Sequence, residues 1–177
     1  MFSYSREDWR CYKNPYLQQG FWALQFHRFG TFARAQRKAI IRIPLKSIHI
    51  VLLKLSEIAF GICIGPNAKI GRRLVIQHFG GIIINSDAVI GDDVMILQGV
   101  TIGNKSPDRP LDVPIIGNRV FIGAGAKVLG RVVIEDDVVI GANAVVITDV
   151  PANSIAVGVP AKVKPRGSDR AEDRGSR

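Results

Sequence analysis

Three histidines, His27, His49 and His78, are the side chains of this 177-residue chain best suited to moving a proton near neutral pH. A histidine beside a hydroxyl can take its proton as the oxygen attacks a carbonyl carbon, while fixed donors stabilise the oxyanion that forms. His27 and His49 lie in stretches with helical spacing and no partner motif, and read as structural. His78 stands between Gln77 and Phe79-Gly80-Gly81, where paired glycines let another backbone or a ligand come close. It is the candidate general base. A zinc site of the three-histidine kind is excluded from the repeats described below, because they contain His78 alone. Cys11 and Cys63 are too few for a disulfide framework and too far apart for a zinc knuckle, so no metal is expected.

The surrounding sequence repeats. Ile64, Ile70 and Ile76 fall six residues apart; Ile84, Ile90, Ile96 and Ile102 follow at the same spacing after a slip of two. A third run is Ile116, Ile122, Val128, Ile134, Ile140 and Val146. Small or aliphatic residues such as Ala68, Val94, Ala126 and Val138 sit four places after the anchors, with Gly, Asn and Asp between. A period of six is a multiple of the strand period of two and does not fit the helical 3.6. Short strands that turn a corner every six residues make three-sided coils, and stacked coils bury one aliphatic column. Residues 62–163 are therefore a parallel β-helix, with the break at 77–81 and a Pro-rich loop over 104–115 projecting from it.

Residues 1–61 lack the hexad and read as a small helical region. Ser5 to Asp8 resembles a capping box, Asn14-Pro15 a helix start that would end at Gly30, and Pro44 to Gly61 an amphipathic helix against neighbours or another subunit. The net charge of +9 is concentrated here: residues 1–60 carry ten Lys/Arg against three Asp/Glu, whereas 61–163 carry nine of each. Basic helices without a recognition motif argue against nucleic acid and for peripheral contact with an anionic membrane surface. No apolar run is long enough to span a bilayer and the N-terminus lacks the order of a signal peptide, so a cytoplasmic location is expected. Residues 164–177 read as a disordered charged tail.

Residues 61–163 resemble serine O-acetyltransferase and its relatives through GPNAKIGRRLVIQHFGG, GDDVMILQGVTIGN, IGAGAKVLGRVVI, IGANAVV and VGVPAKV. GFWALQFHRFGTFA resembles the helix that precedes the family's β-helix. The resemblance implies a left-handed parallel β-helix, a homotrimer, acetyl-CoA as cosubstrate and His78 as catalytic base. It implies a CoA groove between subunits, touching Asn104, Ala124 and Ala142, with Lys162, Lys164 and Arg166 for the phosphates. The chain departs from the family where serine is held. Asp112 and Val113 replace an Arg-His pair in the loop, Gln77 replaces the Asp before the base, and Cys63 replaces an Asp that orients it. What remains resembles short bacterial exopolysaccharide acetyltransferases of the colanic-acid type, which share the GRR…H and GVTIGN segments. The resemblance thus implies acetylation of a sugar hydroxyl in polysaccharide synthesis, with Gln77, Asp108, Arg109 and Asp112 contacting the acceptor. Serine acetylation is the alternative, and a non-catalytic trimeric scaffold the second.

Overall fold

The structure, a computed structural model, describes residues 2–167. The hexads become a three-sided solenoid of parallel strands. Its first face stacks β1 (Ile62–Ile64), β4 (Ile82–Ile84), β7 (Thr101–Gly103), β10 (Lys127–Leu129) and β13 (Val145–Val146). The second stacks β2 (Lys69–Ile70), β5 (Val89–Ile90), β8 (Ile115–Ile116) and β11 (Val133–Ile134). The third stacks β3 (Val75–Ile76), β6 (Met95–Ile96), β9 (Phe121–Ile122), β12 (Val139–Ile140) and β14 (Ser154–Val157). Like sits on like: Ile70 pairs with Ile90 and that with Ile116, and Ile76 pairs with Ile96 and that with Ile122. Every anchor from Ile64 to Val146 is buried, so the register read from the sequence is the one adopted. Each such side chain contributes about 1.5–3 kcal/mol relative to exposure, which makes this column the main source of stability.

The corner between the second and third faces is built from polar side chains. Arg73, Asp93, Arg119, Asp137 and Asn153 all take left-handed backbone, with φ between 56° and 61°. That conformation is costly for residues with a Cβ; here a ladder offsets it. Asp92 Oδ1 accepts from the Arg72 N–H at 2.7 Å, Asn118 Oδ1 from Asp92 at 2.9 Å, and Asp136 Oδ1 from Asn118 at 2.8 Å. Arg73 pairs with Asp93 and Arg119 with Asp137, and both aspartates are held below the ordinary carboxylate range by those guanidinium hydrogen bonds.

Three helices, α1 (Phe2–Cys11), α2 (Gln19–Arg34) and α3 (Ala39–Phe60), close the open edge of the first coil. An uncapped edge would leave unpaired backbone groups. Arg28 of α2 donates to the Ile70 carbonyl at 2.7 Å and to that of Gly71, and forms a buried pair with Asp8 at 3.1 Å. Asp8 in turn accepts from the Arg73 N–H at 3.0 Å, and Tyr12 Oη from the Ile76 N–H at 2.7 Å. Burial pushes the Asp8 carboxyl up more strongly than Arg28 draws it down.

The helix boundaries differ from those expected. Glu7 and Asp8 serve Arg73 and Arg28 rather than capping their own helix, which already begins at Phe2. Asn14 is left-handed and makes no side-chain cap; Pro15–Leu17 is a single 3-10 turn. The next helix starts at Gln19 and runs through Gly30 to Arg34, because the His49 ring packs where a Gly30 side chain would be. The last helix begins five residues before Pro44, whose missing hydrogen bond lies on an exposed turn that water can serve. At the far end β15 (Lys162–Pro165) pairs antiparallel with β14, so structure continues past the expected boundary at 164. The rest of the expected tail, 168–177, lies outside the described residues.

Candidate active site

His78 sits at the corner between the third and first faces, and the slip of two in the hexad is what presents it. Residues 77–81, five in all, link β3 to β4, where only 97–99 separate Ile96 from Val100 in the next coil. The two extra residues bulge outward. His78 adopts φ 65° and Gly80 and Gly81 are also left-handed, which returns the chain to the first face. His78 and Phe79 are exposed and line a cavity of about 220 Å3 with Gln18, Gln19, Gly20, Ile76 and Gln77. The start of α2 forms one wall, seated there because any side chain on Gly20 would collide with the Ile76 carbonyl. No Asp, Glu, Lys or Arg is among these seven residues. Phe79 belongs to the register break read from the sequence, whereas Gln18 and Gln19 carry no such signal; Gly20, at the head of the segment GFWALQFHRFGTFA, is the nearest one.

The same corner continues up the solenoid through Gln98-Gly99, Ala124-Gly125 and Ala142-Asn143. Gly99 and Gly125 are left-handed and stacked: a Cβ on Gly99 would fall 3.3 Å from the Gly125 Cα. Among the described residues, neither the Ala124 nor the Ala142 N–H donates to another backbone group. His78 and these two free donors therefore lie in one column, with Ala142 three rungs from the base, about 14 Å at 4.8 Å per rung. Lys162, opposite Val157, falls at the top of the column. Lys164 pairs with Ile155 in mid-face, and Arg166 reaches the Asp137 carbonyl at the polar corner, away from His78. Backbone donors with a lysine beyond them suit the amides and phosphate of a CoA arm.

The loop residues gather elsewhere. Asn104 leaves β7, accepts from Asn85 Nδ2 at 3.3 Å and donates to the Ser106 carbonyl at 2.8 Å, which fixes the loop's root. Asp108, Arg109 and Asp112 line a second cavity of about 670 Å3 with Lys105, Ser106 and Arg131. Arg109 and Asp112 lie 3.9 Å apart, while Val113 is buried. This cavity is at the corner between the first and second faces, across the first face from His78. On the first face Cys63 donates to Glu57 Oε1 at 3.5 Å, so a carboxylate stands beside the position where the resemblance implies one.

His27 and His49 are buried, as expected of structural residues. Neither His27 ring nitrogen, nor His49 Nε2, has a hydrogen-bond partner of ordinary geometry. Burial, aided by Arg28, pushes His27 down to about 3, and burial lowers His49 as well. Both rings are neutral near pH 7.

The parallel β-helix built on these hexads matches a family of known transferases. Residues 114–148 match the family described as "Bacterial transferase hexapeptide (six repeats)". A serine acetyltransferase of Helicobacter pylori (strain J99) is 51% identical over 111 residues, which span 63% of this chain and 65% of that protein. The crystal structure of serine acetyltransferase from Brucella abortus strain S19 superimposes with a TM-score of 0.81 at 31% identity, covering 93% of this chain and 68% of the other. A serine acetyltransferase in complex with CoA superimposes with a TM-score of 0.73 at 36% identity, covering 85% and 59%. The chain belongs to the serine acetyltransferase family of hexapeptide-repeat acyltransferases. It spans just under two thirds of the Helicobacter relative's length.

Proposed function

We propose that this chain transfers an acetyl group from acetyl-CoA to the hydroxyl of a small acceptor, L-serine in the first instance, as a homotrimer. The observation that carries the reading is the bulge that lifts His78 out of the solenoid at the foot of the free-donor column. A His78 ring nitrogen takes the proton from the acceptor hydroxyl as its oxygen attacks the thioester carbonyl. The C–S bond then breaks, and the imidazolium returns its proton to the departing thiolate. Ala124 and Ala142 hold the CoA arm through their N–H groups, and Lys162 meets its phosphate. The loop with Asp108, Arg109 and Asp112 lies across the first face from its own His78, so contact with the acceptor requires a neighbouring subunit's loop.

Two features bear on the acceptor. At about 220 Å3 the cavity is small, below the roughly 300–1,000 Å3 usual for drug-sized ligands, which suits an amino acid. A second reading, a sugar hydroxyl in polysaccharide synthesis, is favoured by the lack of any Asp, Glu, Lys or Arg among the seven lining residues. A zwitterion entering such a cavity exchanges water for no carboxylate, ammonium or guanidinium partner. The experiment follows CoA release from acetyl-CoA with L-serine, for wild type and His78→Ala. The expected result is turnover that falls at least ~100-fold in the variant, the usual worth of a general base. CoA binding without serine turnover moves the acceptor to sugars. Absence of CoA binding in the micromolar range leaves a non-catalytic scaffold.

A further inference from the structure

A third cavity, of about 550 Å3, lies between α1, α2 and the second face of the solenoid, and none of its lining residues lines the His78 cavity. Its floor is His27, Ala68 and Ile70, all buried, while Thr31, Phe32, Ala35 and Lys69 at its mouth are exposed. Tyr4 closes the α1 side, with the Arg28 guanidinium 5.0 Å from its ring centre.

Two features of this cavity are uncompensated. The first is charge. Arg28, Arg34 and Lys69 line it and no Asp or Glu does. Asp8 and the carbonyls of Ile70 and Gly71 take up the donors of Arg28. Arg34 donates to Thr31 Oγ1 at 3.2 Å, but neither it nor Lys69 has a carboxylate within ion-pair distance among the described residues. Partial burial draws Arg34 below its ordinary value, a penalty that an anion beside it offsets. The second feature is His27, which is 1% exposed. The Ala68 backbone faces its ring, yet neither nitrogen has a partner of ordinary geometry. A neutral imidazole holds one N–H and one bare nitrogen, and a hydroxyl can serve either. His27 and Arg34 stand two turns apart on α2, about 10 Å at 1.5 Å per residue. Phe32, Ala35, Ala68 and Ile70 supply apolar surface to the same cavity.

We infer that this cavity binds a small aromatic hydroxycarboxylate, its carboxylate on Arg34 and Lys69 and its hydroxyl, about two fused rings away, on His27. The volume of about 550 Å3 falls within the roughly 300–1,000 Å3 of small-molecule sites. Inorganic phosphate is a poorer match, since it leaves the apolar surface in water and cannot span the two ends. The site is separate from the proposed chemistry and does not depend on the acceptor.

Calorimetry on the full chain tests it, with 6-hydroxy-2-naphthoate as the probe. One site per chain is expected, present alike in wild type and His78→Ala and not displaced by acetyl-CoA. The probe 2-naphthol, without the carboxylate, should bind at least ~10-fold more weakly, and 2-naphthoate, without the hydroxyl, about 5-fold more weakly. Arg34→Gln/Lys69→Gln should lose at least ~10-fold in affinity for 6-hydroxy-2-naphthoate. Ala35→Trp, at an exposed lining position, should block the mouth by bulk with both charges intact. No binding at millimolar probe, equal binding of the three probes, or displacement by acetyl-CoA overturns the proposal. So does full affinity in the charge variant or in Ala35→Trp, or complete displacement by equimolar inorganic phosphate.

Discussion

Two corners of one prism use the same backbone conformation for opposite ends. Between the second and third faces, left-handed positions are held by Arg73, Asp93, Arg119, Asp137 and Asn153, whose side chains bond up and down the stack. Between the third and first faces, the corresponding positions include His78, Gly99, Gly125 and Asn143, and the backbone between them keeps unused N–H groups. One corner has spent its hydrogen-bonding capacity on itself; the other holds it in reserve. The two corners are separated by the length of one third-face strand, so the polar corner can fix the geometry of the proposed site without touching it.

The largest effect should come from the pair that ties the helices to the polar corner. Arg28→Ala leaves Asp8 buried without its partner and removes the caps on Ile70 and Gly71; a loss of about 3–5 kcal/mol is expected in denaturant unfolding. Next is the ladder itself. Asp136→Ala removes the acceptor of the Asn118 N–H and should lower the melting temperature by less than Arg28→Ala does, with kcat/KM of the folded protein unchanged. A drop in kcat/KM at full folding would erase the division between the corners. The smallest concerns the reactive corner: Gly99→Asn should cost no more than about 1 kcal/mol, because asparagine tolerates the left-handed region and Asn143 already holds it one corner position away from Gly125. A much larger fall in melting temperature would mean that the stacked glycines serve packing rather than access.

The solenoid was legible because its period is written in aliphatic residues that cannot point anywhere but inward. The slip of two before Ile84 was legible too, and it marks the bulge at His78. The helix ends were not. Glu7 and Asp8 look like local capping residues, yet they bind Arg73 and Arg28, some twenty to sixty-six positions away. Gly30 looks like a terminator and proves to be a seat for His49. The reactive cavity was half legible: His78 and Gln77 stand out, whereas Gln18 and Gln19 enter only through the fold. The peripheral membrane contact read from the basic N-terminal charge finds no counterpart beyond the charge itself, and among the described residues no helix is long and apolar enough to cross a membrane.

Because the coils stack in register, distance along the reactive edge is quantised. Moving any group away from His78 by a whole coil shifts it by about 4.8 Å and leaves its direction unchanged. The edge is a ruler whose graduations are set by peptide hydrogen bonds rather than by side-chain packing. Inserting one eighteen-residue coil between Gly99 and Ala124 would therefore lengthen the reach required of an extended thioester by one graduation, with every lining side chain preserved. Such a fold can be tuned to the length of what it holds by counting turns, a kind of adjustment that globular sites assembled from converging loops do not offer.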